Sequence, residues 1–177
     1  MSMLLVAEAI DDGKISLTDE VTVSTEASKM GGSQIWLKEN EVMTVDDLLK
    51  ATAVYSANDA CTALSEYVGG STSAFVRMMN ERAKELGCKN SNFVNANGLE
   101  NENHYTTAHD LAIIMKYCLK NDTFRKISGQ ASCSIPSTNK YGTRTYNSTN
   151  ELLIPNSSSY YKYLTTGKTG FTSQAKE

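Results

Sequence analysis

The chain has 177 residues, of which 40% are hydrophobic and 21% charged, and its formal net charge is -3 at pH 7. These values are typical of one globular domain with a buried core. The charge leaves no basic surface for nucleic acid, and no apolar run is long enough for a transmembrane helix.

The first part of the chain is predicted to be mainly helical. Met3–Ile10 is apolar on nearly all sides and is followed by Gly13, which indicates a buried helix with a glycine stop. Because this helix begins with nothing before it to cover it, we expect a piece of a longer protein, cut upstream. Glu20–Val23 is strand-like, and Thr44–Asp47 is a capping box that begins a helical run to Tyr55.

The tripeptide Ser56-Ala57-Asn58 separates this run from the next one. Serine and asparagine favour caps and turns because their short side chains satisfy free backbone groups, so the tripeptide alone fits an ordinary helix break. The spacing of apolar residues predicts further helices, separated at one point by an Asn-rich loop over Lys89–Tyr105. These helices cover Ala60–Val68, Ser71–Leu86, Thr107–Leu119 and Thr123–Ile127.

The remainder is predicted to be β-structure. Alternating polar and apolar residues predict a hairpin of Ser132–Ile135 with Thr143–Asn147, and Tyr160–Thr166 is predicted as a last strand leading into Lys168–Gly170. The expected fold class is α+β, in a single incomplete domain that is mainly helical over residues 1–128 and has hairpins and a strand over 129–177.

A strand without a sheet leaves its backbone donors and acceptors unpaired, and two strands alone are marginally stable. We therefore expect the sequence to be cut at its C-terminal end as well. For the same reason the segment Tyr160–Thr172 is expected to pair with a second copy, which would give a homo-oligomer.

Cysteine and histidine usage predicts no metal site and no cofactor. The four cysteines and two histidines show neither a CxxC pair nor a Cys/His cluster. Cys61 and Cys118 fall inside helical patterns and are expected to be buried as small hydrophobic side chains. Gly167-Lys168-Thr169 ends like a phosphate-binding loop, but Lys162 occupies the place of its first glycine, which argues against nucleotide binding.

Two short motifs carry the predicted chemistry. Ser56-x-Asn58 and Lys168-Thr169-Gly170 are two of the three active-site motifs of β-lactamases and penicillin-binding proteins. With the segments around them, the chain resembles the serine-type D-alanyl-D-alanine carboxypeptidases, the low-molecular-mass penicillin-binding proteins of peptidase family S11, over nearly its whole length. Those segments are Met30–Gln34, Asp47–Leu49, Phe75–Val76, Met79–Asn80, Asn92–Asn95, Gly98–Leu99, His104–Ala108, Asp110–Ala112, Asn150–Leu153 and Phe171–Thr172.

The resemblance implies a helix-rich fragment of the β-lactamase/transpeptidase-like fold that lacks most of its five-stranded antiparallel sheet. It also implies removal of the terminal D-Ala from peptidoglycan stem peptides ending in D-Ala-D-Ala, through an acyl-enzyme on serine. The intact enzyme would react with β-lactams and would lie outside the cytoplasmic membrane, in the cell envelope or secreted.

The resemblance gives each motif residue a role. Ser56 would relay a proton toward the leaving amine, and Asn58 would hydrogen-bond the substrate amide. Lys168 and Thr169 would bind the C-terminal carboxylate of the substrate. Two neighbours complete the set: Gly170 would let the substrate backbone lie close, and the Phe171 N–H would donate to the oxyanion.

The nucleophile motif of the family, Ser-x-x-Lys, precedes the helix that here begins at Met3, so this chain is expected to lack it. Ser137–Lys140 fits the pattern literally, but it follows Ser56 in the chain and lies in a polar turn, so we do not predict it as the nucleophile. The chain alone is therefore expected to be inactive.

Two other interpretations of the function stay open. One is a non-catalytic peptidoglycan-binding or interaction module on the same scaffold, and the other is a β-lactamase relative. The residues His104–Ala112 favour the carboxypeptidases over the β-lactamases.

Overall fold

The computed structural model describes residues 1–173, and all statements of structure refer to these. They form seven α-helices, one π-helical turn, one short 3-10 helix and four strands. The helices are α1 (Ser2–Asp11), α2 (Thr25–Ser28), α3 (Val45–Lys50), α4 (Asn58–Gly69), α5 (Thr72–Glu85), α6 (Ala108–Cys118) and α7 (Asp122–Ser128). The π-helical turn is Ala51–Tyr55, the 3-10 helix is Glu151–Leu153, and the strands are β1 (Glu20–Thr22), β2 (Val42–Thr44), β3 (Ser132–Ile135) and β4 (Arg144–Asn147). This helix-rich content confirms the predicted α+β class.

Helix α1 lies at the centre of the core. Its residues Met3–Ala7 are all buried, and it packs against α4, α5, α6 and α7. A helix surrounded in this way has little surface for polar side chains, which explains why its sequence is apolar on nearly all sides. The prediction of a buried first helix is confirmed.

Two helix starts follow from the capping side chains that the sequence predicts. The Thr44 hydroxyl accepts a hydrogen bond from the Asp47 N–H at 3.1 Å, and the Thr107 hydroxyl accepts one from the Asp110 N–H at 3.2 Å. Each bond satisfies a donor that the first helical turn leaves free.

Helix α5 packs closely on the end of α4, since a Cβ at Gly69 would lie 2.8 Å from Phe75.

The four strands form two separate antiparallel pairs. β1 pairs with β2, with Val21 opposite Met43, and β3 pairs with β4, with Cys133 opposite Tyr146. The predicted hairpin is therefore confirmed. Strand β2 was not predicted, because its three residues directly precede a capping box and show no alternation long enough to recognise.

The predicted strand Tyr160–Thr166 is wrong. The segment has no regular secondary structure, and its N–H groups bond locally, from Tyr160 to the Ser157 carbonyl at 3.1 Å and from Leu164 to the Tyr161 carbonyl at 2.9 Å. Its three tyrosines are all exposed. An alternating pattern becomes a strand only where a partner strand satisfies its backbone groups, and within residues 1–173 no strand pairs with this segment.

The four cysteines are buried and unpaired, which confirms the prediction for Cys61 and Cys118. Over residues 1–173 no helix combines the length and the apolar character needed to cross a membrane.

Candidate active site

Ser56 lies where a π-helical turn ends. The Ala57 N–H reaches back to the Ala51 carbonyl at 3.1 Å, which widens the last turn before α4 begins. Ser56 then adopts the left-handed conformation, with φ +63° and ψ +37°. A left-handed residue costs about 1–2 kcal/mol unless it is glycine, and π-helical turns are frequent at functional sites. The helix break predicted from sequence is thus a strained turn that carries a half-buried hydroxyl.

Asn58 is fixed by the turn at Gly31–Ser33. Its backbone N–H donates to the Ser33 carbonyl at 2.7 Å, and its side-chain Nδ2 donates to the Gly31 carbonyl at 2.9 Å. Gly32 must be glycine for two reasons, since its φ is +78° and a Cβ there would lie 2.6 Å from Asn58 Nδ2. The carboxamide is therefore held in one orientation.

The structure brings Lys168 to Ser56. Lys168 Nζ donates hydrogen bonds to Ser56 Oγ at 2.9 Å and to the Thr169 carbonyl at 2.9 Å. Burial lowers the pKa of Lys168 below its usual value, because desolvation disfavours the ammonium form. An ammonium with a lowered pKa, bonded to a hydroxyl, can both attract an anion and exchange a proton.

The segment before Lys168 packs on the end of α7. The hydroxyls of Ser128 and Thr166 share a hydrogen bond, and a Cβ at Gly129 would lie 2.4 Å from the Thr165 carbonyl oxygen. On the other side, the Thr149 and Thr169 hydroxyls are 2.7 Å apart. Sequence reasoning missed these supports, which are small polar residues and a glycine with no motif of their own.

The other three predicted site residues lie at the open edge. Thr169, Gly170 and Phe171 are exposed, and 69% of the Phe171 surface is accessible. Space is open where a Cβ of Gly170 would point. The structure thus joins Ser56 to Lys168. Asn58 is bonded instead to the turn at Gly31–Ser33. Thr169, Gly170 and Phe171, the residues predicted to bind the substrate carboxylate, backbone and oxyanion, are accessible.

The literal Ser-x-x-Lys segments do not join this cluster. Ser137–Lys140 forms an exposed turn, in which the Thr138 hydroxyl donates to Glu41 at 2.7 Å. Ser159–Lys162 has the same pattern, but the Ser159 hydroxyl donates to Glu151 at 3.2 Å in another surface turn. A third match begins at Ser173 and extends beyond the described residues.

No group of three or more His, Cys, Asp or Glu side chains within residues 1–173 is placed to hold a metal ion.

Solved structures with a similar fold define the class of the protein. A peptidoglycan synthesis regulatory factor (PBP3) from Streptococcus pneumoniae superimposes with a TM-score of 0.86 and 30% identity, over 98% of this chain and 52% of that chain. Penicillin binding protein 6B from Escherichia coli gives a TM-score of 0.83 and 30% identity, over 98% and 55%. The fold is that of the penicillin-binding proteins.

The family follows from sequence comparison. A family model described as D-alanyl-D-alanine carboxypeptidase (peptidase S11) matches residues 1–177, and the chain belongs to this family. D-alanyl-D-alanine carboxypeptidase DacF of Bacillus subtilis is 49% identical over 129 residues, 73% of this chain and 33% of that protein. DacC of Escherichia coli is 38% identical over 122 residues, 66% and 30%. The chain thus spans about a third of the length of these curated relatives.

Proposed function

We propose that this chain is part of a serine-type D-Ala-D-Ala carboxypeptidase that trims the terminal D-Ala from peptidoglycan stem peptides through a serine acyl-enzyme. One observation carries the proposal. Lys168 Nζ lies 2.9 Å from Ser56 Oγ, although the two residues are 112 positions apart in the chain. This contact between the Ser-x-Asn and Lys-Thr-Gly motifs supports a shared cleft for the substrate.

Each side chain has a role that its surroundings support. Lys168 attracts the C-terminal carboxylate of the substrate through a charge-assisted bond, with the Thr169 hydroxyl as a second donor. Ser56 passes a proton toward the leaving amine, and its bond to Lys168 fixes the hydroxyl for that step. Since Asn58 Nδ2 is already bonded to Gly31, we assign Oδ1 as the acceptor for the substrate amide N–H.

The exposed edge completes the cleft. A substrate backbone can approach Gly170 closely because no side chain stands in its way. The Phe171 N–H is assigned to the oxyanion, a contact of a kind that contributes roughly 3–4 kcal/mol to the transition state.

Binding of a synthetic stem peptide ending in D-Ala-D-Ala tests the site. We expect the free-acid peptide to bind more tightly than its C-terminal amide, and we expect Lys168→Ala to remove that difference. Lys162→Ala, which removes an exposed lysine that lies over the Tyr163 ring, is the control and should preserve the difference. Equal binding of acid and amide to the unmodified chain would refute the proposed carboxylate site.

We also propose that these 177 residues alone are not acylated, because neither Ser137 nor Ser159 lies in the cluster of Ser56 and Lys168. The measurement is intact mass after incubation with a labelled β-lactam, and the expected result is no adduct. An adduct on any serine would overturn this proposal, and an adduct on Ser56 would indicate Ser56 as the nucleophile with Lys168 as its base.

A non-catalytic peptidoglycan-binding module is the second candidate, since the same cleft could hold the peptide without cleaving it. An in-frame Ser-x-x-Lys just upstream of α1 in the parent gene favours the enzyme, and its absence favours the module. For the intact protein we propose a location outside the cytoplasmic membrane, where its substrate lies.

The prediction of a homo-oligomer was based on an unpaired strand, but Tyr160–Thr166 is irregular. Pairing through Tyr160–Thr172 stays a prediction, and a monomer in sedimentation at high concentration would contradict it.

A further inference from the structure

Trp36 has an unusual environment. It is the single tryptophan of the chain, and 65% of its surface is exposed. Its neighbours Ile35 and Leu37 are buried, at 0% and 4% exposure. Core packing of these two residues therefore turns the largest side chain of the protein outward, where it gains nothing from burial.

The backbone of Trp36 is also strained. Within residues 1–173 three residues other than glycine have a positive φ: Trp36 at +62°, Asn40 at +62° and Ser56 at +63°. Asparagine tolerates this conformation, whereas a bulky aromatic residue there is an outlier. Such strain persists only where the surroundings enforce it, and it concentrates at functional sites.

Two buried charged side chains enforce this conformation. The Asp59 carboxylate accepts hydrogen bonds from the Ile35 N–H at 3.1 Å and from the Leu37 N–H at 3.0 Å. From the other side, Arg144 Nη1 donates to the Ile35 carbonyl at 3.1 Å while its Nη2 bonds Glu41. The peptide groups flanking Trp36 are thus held on both sides, and the indole is presented by a rigid support.

Trp36 lies near the proposed substrate site. Asp59 directly follows Asn58, so the path through its carboxylate keeps the Cα atoms of Trp36 and Asn58 within about 13 Å of each other. An extended five-residue stem peptide spans at most about 17 Å. A substrate peptide that bonds Asn58 near its C-terminal end is therefore long enough to bring its sugar-bearing end to the region of Trp36.

The surroundings favour a sugar over a protein partner. Lys38, Glu39 and Asn40, which follow the buried Leu37, are exposed and polar. The indole and the exposed Tyr141 ring that lies under Lys38 together offer far less surface than a stable protein interface buries. A pyranose ring instead offers one face of C–H groups that matches an aromatic ring, while its hydroxyls stay in water.

We propose that Trp36 is a stacking platform for the N-acetylated amino sugar that carries the stem peptide. This inference rests on the proposed function, because the stem peptide brings the sugar to the site. It assigns the glycan part of the substrate to a place outside the Ser-x-Asn and Lys-Thr-Gly cleft.

Fluorescence of the single tryptophan provides a direct test. Three ligands are titrated against the whole chain: the stem pentapeptide, the same peptide linked to its β-1,4 disaccharide, and the disaccharide alone. We expect the two sugar-bearing ligands to shift Trp36 emission and the peptide alone to leave it unchanged. The linked ligand should bind about ten-fold more tightly than the peptide.

Calorimetry on variants completes the test. Trp36→Ala should lose this ten-fold gain and Trp36→Phe should keep most of it, while affinity for the peptide alone stays constant and shows that the fold is intact. Tyr163→Ala, which removes another highly exposed aromatic side chain, is the matched control.

The outcomes separate this inference from the proposed function. If the peptide binds but the disaccharide adds nothing, the inference is overturned and the proposed function stands. If the disaccharide shifts the emission while the peptide does not bind, the sugar platform stands and the proposed peptide site fails. If no ligand binds, both are overturned.

Discussion

Replacing Asp59 with alanine tests how the candidate site is held together. Asp59 is fully buried, and its carboxylate accepts the N–H groups of Ile35 and Leu37, which are buried as well. Alanine would leave these two donors without a partner, at a cost of about 1–3 kcal/mol each. We therefore expect the free energy of unfolding to fall by about 2–4 kcal/mol, allowing for partial entry of water. Asp59→Asn keeps one acceptor oxygen and should lose about half as much.

Urea unfolding followed by circular dichroism measures this loss, and Trp36 fluorescence anisotropy reports the loop itself. The anisotropy should fall in Asp59→Ala because the peptide groups beside Trp36 are released. The matched control is Asp46→Ala, which removes an acid from the first turn of α3, where its partner is the surface residue Lys50. That change should cost only about 0.3–1 kcal/mol. If Asp59→Ala is no more destabilising than Asp46→Ala, Asp59 does not anchor the loop as argued.

Three further changes test other parts of the structure. Because burial lowers the pKa of Lys168, the folded chain binds fewer protons there than the unfolded chain between the lowered value and 10.5. The contribution of Lys168 to the free energy of unfolding should thus rise with pH in that window, and NMR titration of its Cε should give a pKa below 10.5. Gly129→Ala should cost about 1–3 kcal/mol in thermal unfolding, since its Cβ would lie 2.4 Å from the Thr165 oxygen, whereas Gly142→Ala, in open space, should cost little. Arg144→Met should cost about 3–5 kcal/mol by leaving Glu41 buried and unpaired, and adding Glu41→Gln should recover part of that loss.

Local patterns predicted most of the helical part of this fold. The capping boxes at Thr44 and Thr107 and the glycine after α1 act within one or two turns of chain, so their effect can be read directly from sequence. The break at Ser56 was predicted for the same reason. Its left-handed conformation was not, because the π-helical turn that produces it depends on how the preceding helix packs.

Long-range contacts could not be predicted in this way. The motif residues Ser56 and Lys168 could be named because their types and order match a known signature, but their 2.9 Å contact results from how the chain folds between them. The close approach of Gly129 to Thr165 and the bonds from Asp59 to the loop are likewise properties of packing. The strand expected over Tyr160–Thr166 failed for the same reason, since alternation says nothing about whether a partner strand is present.

The first turn of α4 links the strained residues of the molecule. Asn58 bonds Gly31 and Ser33, and the adjacent Asp59 accepts hydrogen bonds from the N–H groups of Ile35 and Leu37, the two neighbours of Trp36.

Ser56, two residues before Asn58, has a left-handed backbone conformation like that of Trp36. Each of these two conformations costs about 1–2 kcal/mol. A rigid support that maintains both residues at that cost agrees with the roles proposed for Ser56 and Trp36, because such strain concentrates at functional sites. On this argument the Ser56 site and the segment Ile35–Leu37 that carries Trp36 are one structural unit, held by Asn58 and Asp59. A change at Asp59 should therefore alter substrate binding as well as stability, although Asp59 itself faces the interior.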